Sequence, residues 1–204
     1  MTCRRSTRTS TWTCRNSRPS DAPRRRGLRS ESRVLILGID PGTAVTGYGV
    51  VRVGPQPTLV ECGVIRTKAD RPLPERLRDI SEGVRELIAR HQPGAMAVED
   101  VFYARNVRTT IVLGHARGVI LLAGAEAGLR IHEYPPAEIK KAIVGTGSAT
   151  KTQVQFMVTK LLRLKSAPQP ADAADGVAAA LTCAMRVGLE ARLASRPTSR
   201  GVTR

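Results

Sequence analysis

The sequence has no long apolar run. Nowhere does it approach the ~18 to 20 apolar residues that a membrane-spanning helix requires. The N-terminus also has no apolar stretch of the kind that forms the core of a secretory signal. We therefore expect a cytoplasmic protein. A chain of 204 residues is long enough for one domain with a sizeable core.

Cysteine is scarce and does not occur in any pairing motif. The four cysteines, at positions 3, 14, 62 and 183, show no CxxC spacing and no spacing typical of a metal site. We interpret all four as reduced thiols, which argues against a disulfide framework.

Acidic residues are few relative to basic ones. There are 33 Lys and Arg against 17 Asp and Glu, so the formal net charge is +16. Such an excess indicates a polyanionic partner, and nucleic acid fits better than a membrane surface. The excess is uneven, because residues 1–33 hold ten arginines against only two acids.

Residues 1–33 also contain almost no aliphatic side chains. They cannot bury enough apolar surface to offset the entropy of ordering. We expect a disordered basic leader at 1–33 and a disordered basic tail at 189–204, on either side of a folded domain at 34–188. Two explanations of the leader stay open: a basic arm that binds phosphates, or translation from a start codon upstream of the true start.

The rest of the chain is a regular succession of strands and helices. Residues 34–39 form a continuous β-branched and aliphatic run, which predicts a strand buried on both faces. Further strands are predicted at 45–51, 58–67, 95–98 and 129–132. Apolar residues at helical spacing predict helices at 75–91, 107–127, 137–144, 151–164 and 171–193. Three early antiparallel strands, followed by strands that alternate with helices, predict a mixed α/β sheet flanked by helices.

Four acidic residues stand where strands end or a helix begins. Asp40 and Glu99 each end a predicted strand, and Asp172 and Asp175 are three apart, hence on one helical face. If the strands are neighbours and the helix starts at their ends, the four carboxylates converge. Hard oxygen ligands favour Mg²⁺ or Mn²⁺ over zinc, and two such ions ~3.5 to 4 Å apart suit phosphodiester hydrolysis. A plainer interpretation of the helical pair is that it stabilises the first turn through the helix dipole.

Five segments of the chain carry a resemblance to a known family. They are GIDPGTAVTGYGVV (38–51), AVEDVFYARN (97–106), GHARGV (114–119), VGTGSATKTQV (144–154) and ADAADGVAAAL (171–181). In order and spacing they resemble the RuvC family of Holliday-junction resolvases. The resemblance implies an RNase H-like fold and places the acids of the family's motifs on Asp40, Glu99, Asp172 and Asp175.

The same resemblance implies how such a protein works. It implies a homodimer that cuts two strands of like polarity symmetrically at four-way junction DNA, during homologous recombination and DNA repair. The implied cofactor is Mg²⁺, with Mn²⁺ as the alternative, at two ions per subunit. The implied partners are the branch-migration proteins RuvA and RuvB.

Basic and aromatic residues near the acids are candidates for DNA contacts. By resemblance, Lys140 and Lys151 match lysines that the family places near the scissile phosphate. Phe102 matches an aromatic residue that stacks on a base, an interaction worth ~1 to 3 kcal/mol, and Tyr103 is the alternative stacking residue. Arg105 is a candidate phosphate contact. Ordinary solvated lysines and a core phenylalanine remain the competing interpretations.

Two other functions compete with a junction endonuclease. An ATPase of the actin or sugar-kinase fold also has an Asp-x-Gly-Thr hairpin, but it needs a second lobe that 204 residues hardly allow. A non-catalytic nucleic-acid-binding protein would bind DNA without depending on the acids. The loop at 145–150 does not match GxxxxGK[ST], which argues against a P-loop. Asp100 departs from the family pattern, and we expect the helix with Gly114 and Gly118 to form the dimer face.

Overall fold

The computed structural model describes residues 2–5, 12–15, 34–100 and 107–194, and for 2–5, 12–15 and 190–194 only the backbone. A mixed sheet forms its centre, in the order β1-β2-β5-β4-β3-β6-β7. The strands are β1 (Thr2–Arg5), β2 (Trp12–Arg15), β3 (Leu35–Asp40), β4 (Val45–Arg52), β5 (Thr58–Arg66), β6 (Ala95–Glu99) and β7 (Arg130–Tyr134). Strands β3, β4 and β5 pair antiparallel, and β6 and β7 run parallel to β3. The predicted mixed sheet is therefore confirmed.

Five helices cover the two faces of this sheet. They are α1 (Leu73–His91), α2 (Val107–Glu126), α3 (Pro136–Val144), α4 (Lys151–Leu161) and α5 (Ala171–Ala194). The first two pack on one face in a core with Leu37, Ile39 and Val98. The other three pack on the opposite face in a core with Ile36 and Val51. Each face of β3 is thus buried under a separate helical layer, as its unbroken apolar sequence predicts.

The N-terminal segment differs from our expectation of disorder. Strands β1 and β2 form an antiparallel hairpin, and β2 adds to the free edge of β5, with Cys14 opposite Cys62. Without this hairpin, β5 would be an edge strand with one row of unpaired backbone groups, and such an edge accepts a further strand readily. At the other end, α5 runs to Ala194, so the expected tail begins with helix. The remaining residues of both segments lie outside the described part of the chain.

Glycines let α5 lie directly on β3 and β4. A Cβ atom added to Gly38 would come within 2.2 Å of the Gly176 carbonyl oxygen, and one added to Gly47 within 1.9 Å of the Asp172 carbonyl oxygen. No side chain fits at either position. This close approach fixes where α5 begins, namely beside the ends of β3 and β6.

A buried charged network ties α1 to β5. The Glu61 side chain is 2% exposed and accepts hydrogen bonds from the Tyr48 hydroxyl (3.1 Å) and from Nη1 of Arg90 (3.0 Å). Its second oxygen lies 3.1 Å from Nε2 of His91. Burial by itself would raise the pKa of Glu61, but His91, Arg90 and Tyr48 hold it below its usual value. A buried carboxylate with this many partners stays ionised.

Helix α2 keeps an apolar surface towards solvent. Val107, Ile111 and Leu122 are 74%, 55% and 53% exposed, and a Cβ added to Gly114 or Gly118 would meet nothing within 4 Å. Among the described residues, α2 is also the one helix long and apolar enough to cross a membrane. The sequence of α2 contains no unbroken apolar run of that length, because charged and polar residues interrupt it although its average composition is apolar. The core helices of soluble proteins meet the same criterion, and the inner side of α2 packs on the sheet.

The two described cysteines agree with the interpretation as thiols. Cys62 and Cys183 are both buried and neither takes part in a disulfide. The side chains of Cys3 and Cys14 lie outside the described part of the chain.

Candidate functional site

A pocket of about 260 Å³ opens where β3 and β6 end beside the start of α5. The two strands are parallel neighbours with Ile39 opposite Val98, so the next residues, Asp40 and Glu99, lie side by side at the same edge of the sheet. Both line the pocket, together with Asp175. The predicted convergence of carboxylates on one site is thus present for these three residues.

Asp172 occupies a different position from Asp175. Asp175 is 19% exposed and lines the pocket, whereas Asp172 is 42% exposed and is not among the lining residues. The two carboxylates share one helical face and both reach the ammonium group of Lys151. Asp172 therefore belongs to the rim of the pocket.

Lys151 is the cation nearest to the acids. Its Nζ atom lies 2.6 Å from Oδ2 of Asp175 and 3.7 Å from Oδ1 of Asp172. A capping box fixes the start of α4, because the Thr150 hydroxyl accepts from the Gln153 backbone N–H while the Gln153 side chain accepts from the Thr150 backbone N–H. The hydrogen bond to Asp175 raises the pKa of Lys151, so this lysine stays charged.

The acids are not fully neutralised by the residues around them. Burial raises the pKa of Asp40 to about 7, and the nearby Asp175 and Asp172 add to this effect while Lys151 opposes it. Burial likewise raises the pKa of Glu99 to about 8, with Asp40 and Asp175 contributing. Burial raises the pKa of Asp175 as well, despite its hydrogen bond to Lys151. Burial is therefore the main cause of these raised pKa values, and repulsion among the carboxylates adds to it.

This donor set fits a hard divalent cation. The pocket presents carboxylate oxygens and no histidine or cysteine, which is the ligand chemistry of Mg²⁺ and Mn²⁺. Within the described residues, no three His, Cys, Asp or Glu side chains are already arranged as a complete metal site. The raised pKa values of Asp40 and Glu99 show that added positive charge would be stabilised there.

The walls of the pocket come from α3, α4 and α5. Lys140 on α3 lines the pocket, and its charge opposes the rise in the pKa of Glu99. The apolar part of the wall consists of Pro136, Ile139, Val154 and Ala178. These four apolar residues were not among the predicted site residues. Their helical spacing was a signal for burial only, and the packing of three helices decides which buried residues face the pocket.

The residues that the sequence predicts to stack on a base and to contact a phosphate lie in the segment after β6. Phe102 and Arg105, with the alternative Tyr103, lie outside the described residues, between the end of β6 and the start of α2. Asp100, just before them, forms an ion pair with Arg117 of α2 at 3.1 Å, and Arg117 also pairs with Glu133 of β7. Asp100 does not line the pocket, which leaves Glu99 as the acid of this segment that faces it.

Comparisons with known proteins agree with one another. The family model described as crossover junction endodeoxyribonuclease RuvC matches residues 36–183. A RuvC protein of Desulforamulus reducens is 46% identical over 72% of this chain and 91% of its own length. One from Pelotomaculum thermopropionicum is 47% identical over 78% of this chain and 98% of its own length.

Solved structures give the same result. RuvC of Thermus thermophilus has a TM-score of 0.72 at 37% identity, covering 77% of this chain and 97% of that one. The same protein in complex with a Holliday junction substrate has a TM-score of 0.73 at 38% identity, covering 77% and 96%. The yeast mitochondrial Holliday junction resolvase Ydc2, at 13% identity and a TM-score of 0.56, shares the fold.

Proposed function

Because the chain belongs to the RuvC family, it is a crossover junction endodeoxyribonuclease that resolves Holliday junctions, and we propose that Asp40, Glu99, Asp172 and Asp175 carry its chemistry. The observation that supports this assignment is the convergence of Asp40, Glu99 and Asp175 on one pocket, with Asp172 at its rim. The raised pKa values of Asp40 and Glu99 are typical of a functional site rather than of a capped helix.

The four acids are the groups that would hold Mg²⁺, or alternatively Mn²⁺, at two ions per subunit. Ions of this kind, when bound, activate a water and stabilise the leaving oxygen in phosphodiester hydrolysis. The chain holds Asp40, Glu99 and Asp175 together at one edge of the sheet. Burial and mutual repulsion there disfavour bare carboxylates, so at a pH high enough to remove their protons a bound divalent cation would be stabilised.

The two lysines of the pocket are proposed to act on the phosphate. Lys151 stays charged and lies among the acids, so its ammonium can hold a phosphate oxygen or balance charge that develops there. Lys140 of α3 lines the same pocket. We further propose that Phe102 stacks on a base near the junction centre and that Arg105 contacts a phosphate.

The proposed assembly is a homodimer. Paired nicks at a junction require two active sites, and the exposed apolar surface of α2 is suited to a second copy, because its glycines leave room for close approach. We also propose that the protein works in the cytoplasm beside RuvA and RuvB, and that residues 34–188 are the part that cuts DNA.

A cleavage assay tests the dependence of junction cutting on metal ions and on the leader. The purified protein, as a full chain and as a version starting at Arg33, is incubated with a synthetic mobile four-way junction or a linear duplex, in Mg²⁺, Mn²⁺ or EDTA. We expect symmetric paired nicks in the junction only, lost in EDTA. Equal activity of the two versions would show that the leader is dispensable.

The neighbouring acids Glu99 and Asp100 offer a matched control. Glu99→Gln should lose cleavage and keep junction binding, whereas Asp100→Asn, which removes the neighbouring carboxylate outside the pocket, should keep cleavage. An active Glu99→Gln protein would contradict the proposed site. Binding without any metal-dependent cutting by the unmodified protein would favour the non-catalytic alternative.

A further inference from the structure

Helix α4 has an outward side that the catalytic pocket does not use. Val154 and Val158 bury one side of the helix in the core shared with α5. On the opposite side Phe156 is 58% exposed, and the ammonium of Lys160 lies 5.3 Å from the centre of its ring. A large aromatic side chain at this exposure, held by a cation–π contact, is unusual for a solvated helix face.

The charge of this segment has one sign only. Residues 150–166 contain Lys151, Lys160, Arg163 and Lys165 and no aspartate or glutamate. Apart from Lys151, none of these cations is within ion-pair distance of a carboxylate among the described residues. On α1, by contrast, Arg78 pairs with Glu82 and Arg85 with Glu126. The positive charge of α4 is thus left available for an external anion.

The position of α4 connects this charge to the pocket. Lys151 at its first residue and Val154 in its first turn line the pocket, and the helix then leads away from it. At 1.5 Å per residue, Lys160 lies about 13 Å farther along the axis than Lys151. That distance corresponds to about four base pairs of a duplex.

We propose that the α4 surface, defined as Phe156, Lys160 and Arg163, binds the sugar–phosphate backbone of the DNA arm that leads away from the cut site. Lys160 and Arg163 contact phosphates, and Phe156 covers a deoxyribose face while keeping Lys160 in place. The inference rests on the proposed function, because the pocket supplies the point from which the arm extends. Continuity with the pocket and complementary charge single out DNA as the occupant.

The end of α4 keeps this surface rigid. The Arg163 backbone N–H donates to the Lys160 carbonyl and the Leu164 N–H to the Thr159 carbonyl, while Arg163 adopts a positive φ of 51°. Both cations also lie near the C-terminal end of the helix, where they complement its dipole. A purely structural role of this kind would change thermal stability and leave DNA affinity unchanged.

The test compares two pairs of charge removals. Lys160→Gln/Arg163→Gln removes two cations from the α4 surface, and Arg78→Gln/Arg85→Gln removes two from α1, across the sheet. Binding of a labelled four-way junction is measured by fluorescence anisotropy in EDTA between 50 and 200 mM salt, with roughly one unit of salt slope expected per phosphate contact. Thermal unfolding of each variant is recorded alongside.

We expect the α4 pair to lower the salt slope by about 2 and to weaken binding roughly 10- to 60-fold at 0.1 M salt, with the α1 pair near wild type. Phe156→Ala should weaken binding roughly 5-fold without changing the slope, since it removes no charge. Lys160→Arg should retain the slope. Single-turnover cleavage at saturating protein and Mg²⁺ should keep its rate in the α1 pair, because neither Arg78 nor Arg85 lines the pocket.

Equal losses in the α4 and α1 pairs would overturn the proposal, since net charge alone would then explain the effect. An unchanged slope in the α4 pair, with or without a fall in thermal stability, would overturn it too. The proposed function is judged separately, by metal-dependent cutting of the junction by the unmodified protein.

Discussion

Replacing Asp40 by asparagine should inactivate the protein and also stabilise it. The carboxyl group is buried beside other acids, and its pKa is raised from 3.8 to about 7. Between these two values the unfolded chain has lost the proton while the folded protein retains it. The free energy of unfolding therefore falls as the pH rises from about 4 to about 7, and then stays level with respect to this group.

The size of the effect follows from the shift. At 1.36 kcal/mol per pKa unit, holding Asp40 ionised costs the folded protein up to about 4 kcal/mol above pH 7. Water at the open side of the pocket reduces this value, so we expect Asp40→Asn to gain between about 1 and 4 kcal/mol at pH 8.5. At pH 5, about one unit above the unfolded pKa of 3.8, the gain should shrink to roughly 1.6 kcal/mol or less, and it should disappear only below about pH 4.

Two measurements on the same samples test this reasoning. Thermal unfolding in EDTA should show an Asp40→Asn melting temperature that exceeds the wild-type value by roughly 3 °C or more at pH 8.5, and by clearly less at pH 5. Cleavage of a four-way junction at pH 8.5 with Mg²⁺ should fall by about 10³-fold. Adding Mg²⁺ should stabilise the wild type more than the variant, because ligand binding to the folded state raises stability.

Several results would refute the argument. An equal melting temperature at pH 8.5 in EDTA would show that Asp40 is not electrostatically strained. A gain as large at pH 5 as at pH 8.5 would point to improved packing instead. A variant that still cuts junctions would remove Asp40 from the catalytic groups.

Three further predictions concern packing and assembly. Gly47→Ala should lower the free energy of unfolding, measured in urea, by about 3 kcal/mol or more, because its Cβ would collide with backbone at the start of α5. Gly54→Ala, whose added Cβ has its nearest atom at 3.5 Å, should lower it little. Similar values for the two variants would contradict the close packing of α5. Glu61→Gln should lower the free energy of unfolding by about 3 kcal/mol, because it breaks a buried charged network. Glu86→Gln changes an exposed partner of the same Arg90 and should lower it by less than about 1 kcal/mol. The reverse order would exclude that network as a source of stability. Ile111→Glu should convert a dimer to a monomer in light scattering, and a dimer that persists would exclude the α2 surface as the interface.

Most of the central sheet could be predicted from local sequence. The unbroken β-branched run before Asp40 identifies a strand buried on both faces, and the structure shows a helical layer on each side of β3. The hairpin at Thr2–Arg5 and Trp12–Arg15 could not be predicted. Its formation depends on the free edge of β5, which exists only once the sheet is assembled, while its own composition indicates disorder.

The site was predictable in its residue types and only partly in its geometry. Strand ends identified Asp40 and Glu99, and parallel pairing brings them together. Spacing along a helix made Asp172 and Asp175 equivalent, but the structure distinguishes a rim residue from a lining residue. The difference depends on how α5 packs against β3 and β4, which is a matter of tertiary structure. The ion pair of Lys151 with Asp175 depends on the same packing.

The glycines under α5 connect stability to chemistry in this fold. Because Gly38 and Gly47 have no side chains, α5 approaches β3 and β4 closely enough to bring Asp175 beside Asp40 and Glu99. The same approach that excludes water from the core therefore concentrates negative charge at its edge. Burial at this edge and the neighbouring acids together raise the pKa values of Asp40 and Glu99, while Lys151 opposes the rise. A larger residue under α5 would relieve the repulsion only by moving the acids apart, so the electrostatic strain and the capacity to hold cations arise from one packing arrangement.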